Sequence, residues 1–128
     1  MRLLLDTHVL ILFINGDKKL PVKSRKLISD PDNLCFLSIA SIWEIAIKLS
    51  LGKLELQSDF AEITHILIAN HIEVMPISFE HLQTLLKLEY HHRDPFDRIM
   101  ISQGISENMA IVSKDDIFTS YPVKLIWK

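Results

Sequence analysis

Short runs of consecutive apolar residues alternate along this chain with longer segments whose apolar positions recur every three to four residues. The short runs have the length and make-up of strands, and the longer ones have the period of helices. The pattern predicts strands at 2–5, 34–37, 73–77, 109–112 and 123–127, and helices at 7–14, 22–28, 39–51, 59–70, 79–90 and 95–107. Strands separated by helices belong to a parallel sheet covered on both faces. The segment ends carry matching signals. Asn15-Gly16 and Gly52 read as C-terminal stops, Ser58 and Ser78 stand where N-caps belong, and Asp94-Pro95 combines an N-cap with proline at the first helical position. No repeat, low-complexity tract or linker interrupts the alternation, so one domain over residues 1–128 is expected.

Against this apolar background, acidic residues stand at the edges of apolar elements. Asp6 follows Leu3-Leu4-Leu5, Asp97 lies within Asp94-Pro95-Phe96-Asp97-Arg98, and Asp115-Asp116 follow Ile111-Val112-Ser113-Lys114. Glu44 shares the segment 39–51 with a single other charge, Lys48, and the apolar residues there surround almost the whole helix, which predicts that it is largely buried. Carboxylates avoid apolar surroundings unless a cation, a strong donor or a metal compensates them. Each acid also has a plain structural role open to it. Asp6 can cap the helix at 7–14, and Asp115 or Asp116 a short segment at 117–121. Glu44 can pair with Lys48 four residues on, and Asp97 suits the N3 position, with a reach back to the start of its helix. In open parallel sheets, however, ligands bind beyond the carboxyl ends of the strands. If the strands at 2–5 and 109–112 are neighbours, Asp6 and Asp115 face one crevice.

Composition narrows the classes. Hydrophobic residues make up 48% of the chain, yet no run approaches the roughly 20 residues needed to cross a bilayer, so no membrane partner is expected. No secretory leader opens the sequence, which makes the cytoplasm the expected location. Cys35 is the single cysteine, which excludes an internal disulfide and a cysteine-based zinc site. The net charge is −2, from 14 Lys and Arg against 16 Asp and Glu. With Asp6, Glu44, Asp97 and Asp115 set aside, the remainder is only mildly basic, so a strong polycation mode of nucleic-acid binding is excluded.

The acids, in their order, resemble a known family. Leu3-Leu4-Leu5-Asp6-Thr7-His8, then Ser41-Ile42-Trp43-Glu44-Ile45-Ala46-Ile47-Lys48 with Gly52-Lys53-Leu54, then His92-Arg93-Asp94-Pro95-Phe96-Asp97-Arg98, then Val112-Ser113-Lys114-Asp115, look like a PIN-domain ribonuclease. More narrowly, they look like a VapC-type toxin of a toxin–antitoxin pair. The resemblance implies a PIN-like three-layer α/β/α sandwich with a central, mainly parallel sheet of about five strands.

It also implies that Asp6, Glu44, Asp97 and Asp115 are the catalytic, metal-holding acids. Asp116 and Asp94 are neighbouring acids at the fourth and third positions, and Thr7 adjoins the first. The implied chemistry is hydrolysis of RNA phosphodiesters with Mg2+, or Mn2+ in its place, because an all-oxygen donor set suits hard ions. Lys48, Arg93, Arg98 and Ser113 are candidate substrate contacts, with Lys53 and Lys114 nearby. Implied partners are RNA, a cognate antitoxin whose basic segment enters the acidic groove, and a second copy of the chain in a homodimer. Apolar stretches at 10–14 and 63–68 suit either such an interface or the core. Two other classes compete. One is a doubly wound phosphate-handling domain, which the absence of an Asp-x-Asp pair at Asp6-Thr7-His8 disfavours. The other is a catalytically silent PIN-like module that only binds a protein, which four intact acids disfavour.

Overall fold

The computed structural model describes all residues from 1 to 128. Five strands form one sheet: β1 (Arg2–Leu5), β2 (Leu34–Ser38), β3 (Ile72–Met75), β4 (Ala110–Val112) and β5 (Leu125–Ile126). Six α-helices connect them: α1 (Thr7–Ile14), α2 (Val22–Ser29), α3 (Ile39–Ser50), α4 (Glu62–Ala69), α5 (Phe79–Lys87) and α6 (Pro95–Ser106). A short 3-10 turn spans Asp116–Ser120. The spatial order is β3-β2-β1-β4-β5, and every pairing is parallel.

The central strand explains the layering. Leu3, Leu4 and Leu5 are all fully buried, as a parallel strand covered on both faces requires. Leu3 and Leu5 join one apolar cluster with Val9, Leu10, Ile28, Ile45, Ile63 and Leu67, which belong to α1 through α4. Leu4 points the other way, into a second cluster with Met100, Ile101, Ile111, Phe118 and Tyr121 under α5 and α6. Alternation along one strand thus divides the interior into two layers, and the expected three-layer architecture is the observed one.

The chain runs outward from β1 through β2 to β3, then returns to place β4 on the other side of β1. The order therefore reverses between β1 and β4, where Leu5 pairs with Val112 and the Asp6 N–H donates to the Val112 carbonyl at 3.0 Å. A crevice at the carboxyl ends of these strands is the switch point where doubly wound sheets bind ligands.

Several expected boundaries are corrected. Helix α4 begins at Glu62 with Ala61 as its N-cap, so Ser58 does not cap it. Helix α5 does have Ser78 as its cap, with His81 completing a capping box. It ends at Lys87, where Leu88 turns to an extended conformation, and the carbonyls of Leu88 and Glu89 accept hydrogen bonds from the Arg98 guanidinium. Strand β3 stops before Pro76, which has no N–H for the ladder. Helix α3 is not buried all round: only Ala40, Ser41 and Ile45 are, and Trp43 is 62% exposed with Phe96 against its edge. The stretch at 10–14 is mainly core, and in 63–68 Ile63 and Leu67 are core while Ile68 lies outside it. Gly16 and Gly52 take positive φ angles of 60° and 66°, as their places after α1 and α3 demand.

Candidate active site

Asp6 occupies the N-cap position of α1, yet its side chain makes no capping hydrogen bond. Its Oδ2 instead accepts from the Ser113 hydroxyl at 2.7 Å. The same hydroxyl oxygen accepts from the Asp115 N–H at 3.0 Å, so one fully buried serine ties the ends of β1 and β4 together. Asp115 follows the capping expectation: its Oδ1 accepts from the Ile117 N–H and starts the 3-10 turn. Asp6, His8, Lys114, Asp115 and Asp116 line an open cleft of about 420 Å³ with no apolar wall.

Glu44 comes from α3 and is paired with Lys48 at 2.9 Å, with 13% of its side chain exposed against 45% for Lys48. Asp97 comes from α6. Its N–H is capped by Asp94 Oδ1 at 3.0 Å, and its own Oδ2 lies 3.1 Å from His92 Nε2. It does not reach back to the helix start; the histidine takes that oxygen. A buried hydroxyl chain fixes the three elements one turn away from the acids. Thr7 Oγ1 donates to Ser41 Oγ at 2.8 Å, and Ser41 Oγ donates to Met100 Sδ at 3.4 Å. Those residues sit beside Asp6, three before Glu44 and three after Asp97, so α1, α3 and α6 are locked where their acids emerge.

The electrostatics record how near the acids come. Burial raises the Asp6 pKa, with the Ser113 hydrogen bond opposing and the Glu44 charge adding to the rise. Asp97 is raised to about 6, first by burial and then by the Asp94 charge, with the His92 hydrogen bond opposing and the Asp6 charge adding. Glu44 thus acts on Asp6, and Asp6 on Asp97. This is a concentration of negative charge that Lys48 offsets only at Glu44.

A hard divalent cation answers that imbalance, and the donors are carboxylate and hydroxyl oxygens. No three His, Cys, Asp or Glu side chains form a closed metal cage. Magnesium requires none, because it commonly keeps several waters while one or two carboxylates and a substrate phosphate complete its shell. The residues present therefore fit such an ion.

Two expected substrate contacts, Arg98 and Ser113, are buried. Arg98 is only 3% exposed, and its guanidinium donates to the Leu88 and Glu89 carbonyls and to the Tyr121 hydroxyl. Its side chain is spent on contacts inside the fold. Ser113 is fully buried and serves the two acids rather than the surface. Arg93 and Lys114 are exposed, and Lys48 is engaged with Glu44. The expected set left out the joints of the site: Ser41, which is hidden in an apolar helix, and His92 with Tyr121, which are 29 residues apart. The available signal was His92 itself, five residues before Asp97.

Comparison with known proteins adds an independent line. A family model described as the PIN domain matches residues 3–124. No curated protein sequence matches the chain. Among solved structures, VapBC2 of Rickettsia felis bound to a promoter DNA fragment is similar at a TM-score of 0.76, with 18% identity and all of both chains covered. A toxin-antitoxin complex from Klebsiella pneumoniae is similar at 0.65, with 15% identity over 96% of this chain and 94% of that one. VapBC-1 of nontypeable Haemophilus influenzae is similar at 0.65, with 15% identity over 98% and 97%.

Proposed function

The chain belongs to the PIN-domain family, and from that premise we propose that it is the metal-dependent endoribonuclease toxin of a VapC-type toxin–antitoxin pair. The observation that carries this reading is the meeting of Asp6, Glu44 and Asp97 from three separated elements, each close enough to act on another's charge, at the switch point of the sheet. Asp6, Asp97 and Asp115 hold Mg2+ or Mn2+, and Glu44 positions the attacking water. When bound, the ion supplies a Lewis acid that makes water more acidic and offsets charge on the phosphate oxygens. Ser113 keeps Asp6 and Asp115 in register, and Lys48 orients Glu44 through their 2.9 Å ion pair. Arg93 and Lys114 stand exposed to flank the RNA backbone, which the site's carboxylates would repel in the absence of a cation. Water attacks the phosphorus directly, so the protein forms no covalent bond to RNA.

The Klebsiella neighbour, a toxin-antitoxin complex, supports an antitoxin as partner of this chain. The exposed apolar side chains Trp43, Phe79, Leu82 and Leu86 support contact with a protein, including a second copy in a homodimer. A cytoplasmic place follows from the proposed RNA substrate, and no helix is long and apolar enough to cross a membrane.

The test is cleavage of labelled RNA by the purified protein with Mg2+ or Mn2+. Asp6→Asn and Asp97→Asn are expected to lower the rate by more than about 100-fold, beyond the 10–100-fold typical of outer supporting residues, with an unchanged circular dichroism spectrum. Undiminished cleavage by the wild type in excess EDTA would sink the metal reading. Asp115→Asn is expected to lose more activity than Asp116→Asn, and the reverse order would move the fourth acid to Asp116. A folded wild type that cleaves no RNA would favour a protein-binding module without catalysis.

A further inference from the structure

Tyr121 is 4% exposed, and its hydroxyl oxygen lies within hydrogen-bond distance of four nitrogen atoms. They are the main-chain N–H groups of His91 at 3.2 Å and His92 at 3.3 Å, Arg98 Nη1 at 3.2 Å, and His92 Nδ1 at 2.8 Å. Amide and guanidinium nitrogens only donate. Three of the four neighbours therefore point hydrogens at the Tyr121 oxygen, and the phenolic proton has one acceptor left, His92 Nδ1. A neutral imidazole whose Nδ1 accepts carries its proton on Nε2. That nitrogen is the one 3.1 Å from Asp97 Oδ2.

We infer that Tyr121 and His92 form a positioning device for Asp97, in which the tyrosine hydroxyl fixes the histidine tautomer and the histidine holds one carboxylate oxygen through a permanent N–H donor. The support around the pair is rigid. Arg98, one residue after Asp97, pins the Leu88 and Glu89 carbonyls and the Tyr121 hydroxyl at once, and its guanidinium lies 3.8 Å from the Tyr90 ring centroid. The His91 and His92 rings meet Tyr121 edge-on, with centroids 4.8 and 5.5 Å away. The side chains of His92 and Asp97 are each 18% exposed, so their bond is largely shielded from water. No other side chain is hydrogen-bonded to the Asp97 carboxylate, so without His92 its rotation is set by packing alone. A metal ligand that swings has a lower affinity than one held in place.

The inference rests on the reading of Asp97 as a metal-holding acid, and the two can be separated. Two-bond 1H–15N spectra of the metal-free, 15N-labelled protein at about pH 8, where an unperturbed imidazole is neutral, are expected to show His92 as the Nε2–H tautomer. Its signals are identified by their loss in His92→Gln. Tyr121→Phe is expected to release a mixture of tautomers. A His92 that carries its proton on Nδ1, or exchanges between the two forms, in the wild type would overturn the inference. By calorimetry, His92→Leu is expected to weaken Mn2+ binding about 10–100-fold, while His92→Gln, which keeps an N–H near the Nε2 position, stays within about threefold of wild type. Equal Mn2+ affinity in the wild type and His92→Leu would also overturn it. If the wild type shows the expected tautomer but binds no Mn2+, the metal reading fails and the hydrogen-bond chain stands. Tyr121→Phe also removes an acceptor from Arg98, so the two His92 variants carry the test should that protein unfold.

Discussion

Asp97 is a carboxyl group in surroundings that favour its neutral form. Its pKa of about 6 stands above the ordinary 3.8, so folding makes it bind protons more tightly than the unfolded chain does. The folded state gains relative stability below the unfolded pKa and loses it as pH rises through the folded one. For metal-free protein, stability is therefore expected to fall between about pH 4 and pH 6 as Asp97 ionises, and the raised Asp6 pKa acts in the same direction. Asn at position 97 keeps an acceptor for His92 and never carries the charge. Asp97→Asn in EDTA is expected to be more stable than wild type by roughly 2 kcal/mol at pH 7 and close to it near pH 4, since one pKa unit corresponds to about 1.4 kcal/mol and solvent screening removes part of the roughly 3 kcal/mol that the full rise implies. Urea melts at both pH values decide it, and a variant less stable at pH 7 would refute the argument. A residue that destabilises the fold it sits in, beside other acids, is a candidate for a functional role.

The first turn of α6 is where local and long-range demands meet. Asp94 Oδ1 accepts from the Phe96 and Asp97 N–H groups at 2.9 and 3.0 Å, and Pro95 takes the position where a missing N–H matters least. The same Asp94 charge is the second cause of the raised Asp97 pKa. Capping and charge can be separated by substitution. Asp94→Asn preserves the cap and is expected to stay close to wild-type stability. Asp94→Ala is expected to lose about 1 kcal/mol. Both should lower the Asp97 pKa, read by carbon-detected NMR titration of its carboxyl, and no movement in either variant would remove Asp94 as a cause. Other elements show how far local signals reach. The bounds of α1 follow from its apolar run and Gly16 alone. The end of α5 does not: its apolar period runs on toward Tyr90, but Leu88 turns extended and the Leu88 and Glu89 carbonyls accept from Arg98, a contact that no local pattern marks.

For the whole molecule, the parallel order β3-β2-β1-β4-β5 turns two distant strand ends into neighbours and brings Asp6 and Asp115 together at the carboxyl ends of β1 and β4. A ligand that binds only the folded chain raises its stability by mass action, about 2.7 kcal/mol at a concentration 100 times the dissociation constant. Saturating Mn2+ or Mg2+ is thus expected to raise the melting temperature of the metal-free protein by several degrees, and Asp6→Asn to abolish most of that rise. Scanning calorimetry with and without the ion checks this, and an equal rise in the variant would place the ion elsewhere. Lys128 is tied to α2: its carbonyl accepts from the Ser24 N–H and hydroxyl at 2.8 and 2.7 Å.

What the sequence determined by itself is local. Apolar period and run length assigned all five strands and all six helices, and glycine and Asp94-Pro95 marked several of their ends, because these depend on each residue's own conformation and on which side it presents to the interior. The same logic drew out Asp6, Glu44, Asp97 and Asp115, since a carboxylate beside an apolar element is costly wherever the chain goes. Tertiary structure alone decided that β4 lies against β1, that Ser113 bridges Asp6 to Asp115, that Arg98 is buried, and that Tyr121 directs His92 toward Asp97. Each of these joins separated residues by a few hydrogen bonds or a strand pairing, and such contacts leave no periodic trace in either partner. Helix α3 shows the same limit from the other side. Its apolar residues predicted burial all round, but the layers cover only one face, and whether Trp43 meets core, solvent or a partner is settled by what is packed against it.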